Sequence, residues 1–500
     1  MKILHSLKNN FSVDLRSLAV TRIAFSLLIF ADLIIRSRFI EDFYTDSGVL
    51  PLNAIKSLYP INYKTSVHAL SGEYGFEVLL FVLAVLFAFF LLIGLFTRIA
   101  TIISWALLVS LNLRNPLILQ GGDTLFKCLM FWSIFIPWGA RFSVDSFLTK
   151  NKKVNNFVFS AGAMAFIVQI MLLYFFSATL KTGDFWVEDY TAVYYALSLG
   201  HFSHLLGQYL YQFPYLMKTM TFSVYWIELL GPFLLLIPYK NGFFRILFIV
   251  LFGSLQFGLT STMRLGLFPW FSMMALLILL PSSFWEFFPR LEKELTHIYS
   301  KLSSGINSVY KDIGNLKYYN IRWPGFINIL VTVFISVLLL YVLLWNLSKT
   351  YETRFGFMSK FSYFGKAFQI NQKWNMFAPQ PYRKDGWFVI VGQLEDGTLV
   401  DVFRDGNEIS WDPPLDRSAD YPSYRWRKYI WNFNKKKNFK NRDNYGKYVC
   451  RKWNSSDSKP KLIDVDMYFV RERNLPDYRV EKPKIKKIYG YDCVKDKNKY

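Results

Sequence analysis

The sequence predicts a polytopic α-helical membrane protein of about nine spans with a small, strand-rich extracytoplasmic domain at its C-terminus. Three observations carry this expectation. With 53% hydrophobic residues and only 19% charged ones, the 500-residue chain is too apolar for an ordinary water-soluble protein. Its apolar residues also fall in runs of roughly 20, the length at which a helix crosses the hydrocarbon core of a bilayer. After residue 347 the composition turns polar and basic, and the alternation becomes that of strands. The aromatic share, 19%, suits lipid-facing surfaces and interfacial belts.

Lys2, Lys8 and Arg16 precede an apolar run from Leu18 to Ile35. That run is span-length, holds Arg22 and Asp32, and lacks a small-x-small cleavage site after it, so it reads as a retained first span. The nine expected spans cover 17–37, 77–96, 99–118, 124–138, 157–180, 214–238, 243–262, 266–286 and 325–347, the fourth being short. The organisation is then an eight-span domain over 1–290, a basic cytoplasmic connector over 291–324, a ninth span over 325–347 and an outer α+β or β-rich domain over 348–500. Short-loop Lys and Arg set the orientation. With the N-terminus inside, the inner segments hold Arg98, Arg141, Lys150, Lys152, Lys153, Lys240, Arg245, Arg290, Lys293, Lys301, Lys311, Lys317 and Arg322. The outer loops are poorer in positive charge, and an odd span count puts the C-terminal domain outside. The bilayer is thus the first partner, and the net charge of +22 follows topology and calls for no nucleic acid.

In the outer domain, Trp387–Leu394 and Thr398–Phe403 flank Asp396-Gly397, a tight-turn pair, and read as a hairpin. Leu462–Val470 reads as another strand, and Lys435–Lys437 as a loop. Three cysteines exclude a disulfide scaffold and show no zinc spacing. Cys128 sits in an apolar span. Cys450 and Cys493 share the polar region, where an oxidising location allows a disulfide and a reducing one leaves two thiols.

Charged groups inside spans are costly and face a cavity or one another. Arg22 and Asp32, ten residues apart on one helix, cannot pair. Asp123 and Lys127 are one turn apart, and Glu228 lies in the sixth span. Such groups also serve as polar clamps between helices. Lys181 ends the fifth span: one reading has it snorkelling to the interface, the other has it turned into an apolar pocket as a base. His201 and His204 are a weak metal pair, and no metal site is expected. No Walker loop, nucleophile elbow, HExxH or dinucleotide fingerprint occurs.

Several segments together resemble the HTTM family, the transmembrane domain shared with vitamin K-dependent γ-glutamyl carboxylase. They are Leu18–Asp32 with Arg22; Phe43–Pro51; Gly94–Arg98; Gly121-Gly122-Asp123; Arg141–Asp145; Tyr174 through Lys181 to Asp184 and Trp186; and Lys373–Pro381. The resemblance spans roughly 15–290 and the start of the outer domain, and it rests on the order and spacing of the segments. It implies a membrane enzyme with its cavity toward the outer side and a reduced quinone of the vitamin K or menaquinone type as cofactor. It places the carboxylase's lysine base at Lys181. Arg22, Asp32, Asp123 and Glu228 are then expected to organise the polar cavity, and Asp184 and Trp186 to shape its mouth. At Gln256 the chain departs from the carboxylase, which carries a histidine there, and the compact outer domain replaces the part that binds the carboxylase's propeptide.

Two functions follow as expectations. One is a quinol-dependent lyase- or oxidoreductase-like membrane enzyme using Lys181. The other is a non-enzymatic membrane protein that binds a peptide or protein through the outer domain around Trp387. A transporter would call for paired broken helices, which the sequence lacks.

Overall fold

The computed structural model describes residues 2–148, 156–313 and 325–494, with the side chains of 2–6, 307–313, 353, 436 and 437 outside that description. Of the expected inner-side cations, Lys150, Lys152, Lys153, Lys317 and Arg322 lie outside the described residues, as do the side chains of Lys2 and Lys311. Among the described residues, six helices are long and apolar enough to cross a membrane. Numbering the helices of eight residues or more in chain order, α1 is Lys2–Phe11, α2 Leu15–Ser37, α3 Tyr74–Ile93, α4 Thr97–Arg114 and α5 Gly121–Ser133. They are followed by α6 Ala161–Thr179, α7 Pro214–Leu230, α8 Asn241–Thr262, α9 Phe268–Ala275, α10 Pro289–Ile313 and α11 Gly325–Thr350. The six long apolar segments are α2, α3, α6, α7 with its extension to Leu236, α8 and α11. At the other three expected positions stand α4, which carries Arg98, Asn112 and Arg114, the thirteen-residue α5, and α9 continued to Leu279.

The C-terminal region is an antiparallel sheet of order β4-β3-β5-β6 with two helices. Its strands are β3 Lys384–Leu394, β4 Leu399–Asp401, β5 Leu462–Arg473 and β6 Lys484–Asp492; the helices are α12 Tyr424–Phe433 and α13 Arg442–Asn454. A two-residue pair, β1 Val13–Asp14 with β2 Phe157–Val158, lies before α2 and α6. The Asp396-Gly397 turn forms as its sequence demands: Gly397 takes φ +84°, and Asp396 Oδ1 accepts the Thr398 amide at 2.9 Å. In place of the expected loop, Lys436–Asn441 is a 3₁₀ turn leading into α13. Trp387, in the hairpin expected to matter for a docked partner, is buried at 1% exposure under Arg417, so it packs the sheet. Cys450 on α13 is bonded to Cys493 just past β6. Closing a loop across 43 positions restricts the unfolded chain, and Cys450→Ser with Cys493→Ser is expected to lower the stability of this region by about 4 kcal/mol. Chemical unfolding followed by the fluorescence of its tryptophans checks this, and an unchanged midpoint would contradict it.

The two ends of the bundle are chemically distinct. One end gathers the last turn of α2, the first turns of α3 and α5, the last turn of α4 and the C-terminal region. The other gathers the start of α2, the end of α3 and α10: Arg16 pairs with Glu292 at 2.7 Å, and Tyr299 Oη donates to Leu92 O at 2.8 Å.

Candidate functional site

Ser160 caps α6 by accepting the Ala163 amide at 3.1 Å, and the nineteen-residue helix ends at Thr179, two residues before Lys181. Lys181 is only 4% exposed. Its ammonium donates to the carboxylate of Glu228, on α7, in a very short ion pair, and it stands 4.4 Å from the centre of the Trp186 ring. The Lys373–Pro381 segment closes over this corner: Trp186 Nε1 donates to Phe377 O at 2.9 Å and Gly183 N to Pro379 O at 3.0 Å. A Cβ on Gly183 would meet the Gln380 side chain at 2.6 Å, so the strap lies tight on the turn. Lys181 therefore does not snorkel into water. Asp184 is exposed in the turn beside it.

Next to this pair lies a second polar group. Gln256 on α8 donates to Tyr174 Oη on α6 at 3.1 Å, while its own Oε1 has no hydrogen-bond partner. Glu228 is near enough to act electrostatically on Tyr174. Outside, between α7 and α8, runs an open groove of about 190 Å³ lined by Thr219, Ser223, Ile227, Ser254 and Leu255. Ile227 and Leu255 are the chain neighbours of Glu228 and Gln256, so the groove runs past the backbone that carries both. Sequence reasoning placed Lys181, Glu228, Trp186 and Gln256 in one site, and the structure brings them to one neighbourhood.

It does not bring Asp32, Asp123 or Arg22 there. Asp32 and Asp123 are held in a different cluster by two arginines. Arg36, one turn after Asp32, donates to Asp32 at 2.8 Å, Asp123 at 2.8 Å, Asn112 at 2.9 Å and Tyr44 at 2.9 Å. Arg425 on α12 reaches in from the C-terminal region to Asp32 at 2.5 Å and Asp123 at 3.0 Å. All four charged groups are buried to 5% exposure or less, and two aspartates against two arginines sum to zero. Burial alone lowers the pKa of Arg425, but Asp123 and Asp32 outweigh it and hold the pKa well above its ordinary value. Asp123 also accepts the Gln120 amide at 2.7 Å, closing the start of α5. Lys127 turns instead to Gln369 at 3.3 Å. The expected cavity residues are thus the lock between the helical bundle and the C-terminal region.

Arg22 sits at the opposite end. It donates to Trp138 O at 3.1 Å and to Phe142 O, and its guanidinium lies 5.7 Å from the Tyr299 ring centre. There the Gly94–Arg98 and Arg141–Asp145 segments meet, with Asp145 accepting the Thr97 amide at 2.8 Å and Gly94 taking φ +71° against Ser143 and Arg22. A polar residue in a span is satisfied by the end of the bundle its own turn reaches, and the ten residues between Arg22 and Asp32 put them at opposite ends.

Sequence reasoning missed a third polar group. Glu77 in α3 and Arg114 ending α4 are both fully buried, 3.9 Å apart, and both Glu77 oxygens, Arg114 Nε and Nη2 and Asn112 Nδ2 lack hydrogen-bond partners. One and two turns along the same helix faces, Phe81, Ala84, Leu107 and Leu111 line a cavity of about 20 Å³, room for about one water, together with Asp32, His68 and Ser104. His68 is neutral: burial, with Arg36 and Arg114 nearby, pushes its pKa down to about 3. Unpartnered buried polar atoms cost about 1–3 kcal/mol each, so bound water is expected between Glu77 and Arg114. An experimental map fine enough to show waters checks this; a direct two-point contact with no density between the groups would contradict it. At the outer loop, His201 Nδ1 meets Asp385 at 2.6 Å while His204 meets Arg264, so the two histidines serve separate partners. Burial lowers the pKa of His201, with Asp385 opposing.

No family model, no curated protein and no solved structure matches the chain.

Proposed function

We propose that the protein is a membrane enzyme of HTTM type that uses Lys181 and Glu228 to take a proton from a lipid-soluble quinol. The observation that carries this reading is the buried Lys181–Glu228 pair beside an open groove between α7 and α8. An exposed or unpaired lysine would not support it. A cavity of about 150 Å³ accepts a benzene ring, and a groove of about 190 Å³ is of the right order for a quinol ring whose tail stays in lipid.

The paired state shapes the chemistry. As an ammonium, Lys181 has no site for another proton, so the pair acts as a unit. Lys181 passes a proton to the Glu228 carboxylate and takes one from the quinol hydroxyl, leaving a quinolate against an ammonium and a neutral carboxylic acid behind it. The ammonium re-forms beside the quinolate as the quinolate itself forms, in a site screened from water by Trp186 and the Phe377–Pro379 strap, so the developing negative charge is met by a fixed opposite one. Gln256 and Tyr174 offer a hydrogen-bond acceptor and a hydroxyl to orient the ring, and Asp184 borders the mouth.

In this reading α4, α5 and α9 complete nine crossings. The end bearing α1 and α10 is cytoplasmic, and the C-terminal region with its disulfide lies outside. The test is turnover by purified protein given vitamin K hydroquinone or reduced menaquinone, oxygen and bicarbonate. Quinol consumption above that of protein-free micelles is expected; consumption equal to the blank, in folded protein, would move the weight to a binding role.

A further inference from the structure

The connector after the eighth expected span is more than a link. α10 is strongly amphipathic over Pro289–Ile313, yet among its described side chains one strip packs on the rest of the protein. That strip carries Tyr299, 5% exposed and bonded to the end of α3, Ser303, 6% exposed, and Glu292, paired with Arg16 at the start of α2. Beside it lies a second apolar strip that touches nothing of the kind: Leu291 is 43% exposed, Ile298 49% and Leu302 40%. Spaced by seven and four residues, these three stand one above another on a helix of 3.6 residues per turn. Phe287 and Phe288, 78% and 45% exposed, continue the apolar surface just before the helix. The remaining arc is polar, with Lys293, His297 and Ser304, while Arg290, Glu294 and Lys301 border the apolar strip.

What covers that strip is decided by where the helix is pinned. Its inner contacts are the first turn of α2 and the last turn of α3, two apolar crossing helices, so its long axis lies at the level where those helices leave the hydrocarbon. A helix held at that level, with an apolar strip outward and charged residues along the strip's edge, matches a helix lying in the plane of a leaflet. α1, also strongly amphipathic, joins α2 at the same end.

We infer that α10 is an interfacial helix whose Leu291–Ile298–Leu302 strip is buried in the headgroup–acyl boundary of the leaflet on the α1 side, with Arg290 and Lys301 among anionic headgroups. The test uses full-length protein in vesicles of phosphatidylcholine and phosphatidylglycerol. Single cysteines at Ile298 or Leu302, and at Lys293 or Ser304 as polar-arc partners, receive an environment-sensitive dye; both sets of side chains are exposed, so folding is retained. Native Cys128 is buried and Cys450 and Cys493 are bonded, which leaves little labelling background. Labels at 298 and 302 are expected to be quenched several-fold more by brominated lipid than those at 293 and 304, and the latter more by aqueous iodide. Equal iodide quenching at all four positions would overturn the inference in favour of a water-exposed helix. Shielding of 298 and 302 from both quenchers would overturn it in favour of a protein partner or a second copy.

Discussion

Replacing Arg425 with methionine is expected to destabilise the protein by about 3–5 kcal/mol, the scale for removing one partner of a buried ion cluster. The reason is electrostatic. Asp32, Asp123, Arg36 and Arg425 are balanced when all four are present, and all are cut off from water. Without Arg425 one net negative charge stays buried, and Asp32 Oδ1 loses its guanidinium donor. Losing packing alone would cost far less, because methionine keeps most of the aliphatic stem. Adding Asp123→Asn removes that net charge, so the double variant is expected to recover part of the loss, giving a coupling energy in a double-mutant cycle of order 1–3 kcal/mol. Thermal unfolding in detergent reads both effects, and limited proteolysis between α11 and β3 reads the loosening of the C-terminal region. An Arg425→Met protein as stable as wild type would show that the cluster is not the lock.

Lys181→Met is expected to reduce quinol turnover by roughly 10²–10⁴-fold, the usual worth of a positioned proton-transfer group. Glu228→Gln is expected to lose activity to a similar degree although Lys181 remains, because the proton then has nowhere to go. Stability separates the chemical from the structural role. Lys181→Met leaves the Glu228 carboxylate buried and unpaired and is expected to lower the melting temperature; Lys181→Met with Glu228→Leu removes both charges, restores stability and stays inactive. A stable double variant that still turns over quinol would assign the pair to packing alone.

The spans were legible wherever an apolar run is long, because lipid admits few charges and leaves the periodicity clean. They were less legible at α4, α5 and α9, where polar side chains serve the interior of the bundle: Asn112, Asp123 and Ser272 are all buried. The hairpin was legible from Asp396-Gly397. β6 was not, since Lys484, Lys486 and Lys487 give this edge strand little apolar alternation.

The site was legible in part for the same kind of reason. Lys181, Glu228, Gln256 and Trp186 stand out because a charge or amide in an apolar stretch is conspicuous, and the family resemblance ordered them. Arg425 was hidden: it lies 302 positions from Asp123 in a basic segment where one arginine looks like another. Arg36 had a usable signal, an i,i+4 spacing from Asp32 within the first span, and Glu77 with Arg114 had only their places near the ends of apolar helices. Polar partners drawn from distant segments are set by tertiary packing, which no local window contains.

The most direct test of a quinol held against Lys181 is photolabelling with an azido-naphthoquinone in lipid nanodiscs, followed by peptide mapping. Label is expected on the groove residues of α7 and α8, around Thr219–Ile227 and Leu251–Leu255, and is expected to be lost when unlabelled quinol competes. Label confined to other helices, or label in the groove that excess quinol does not displace, would contradict it.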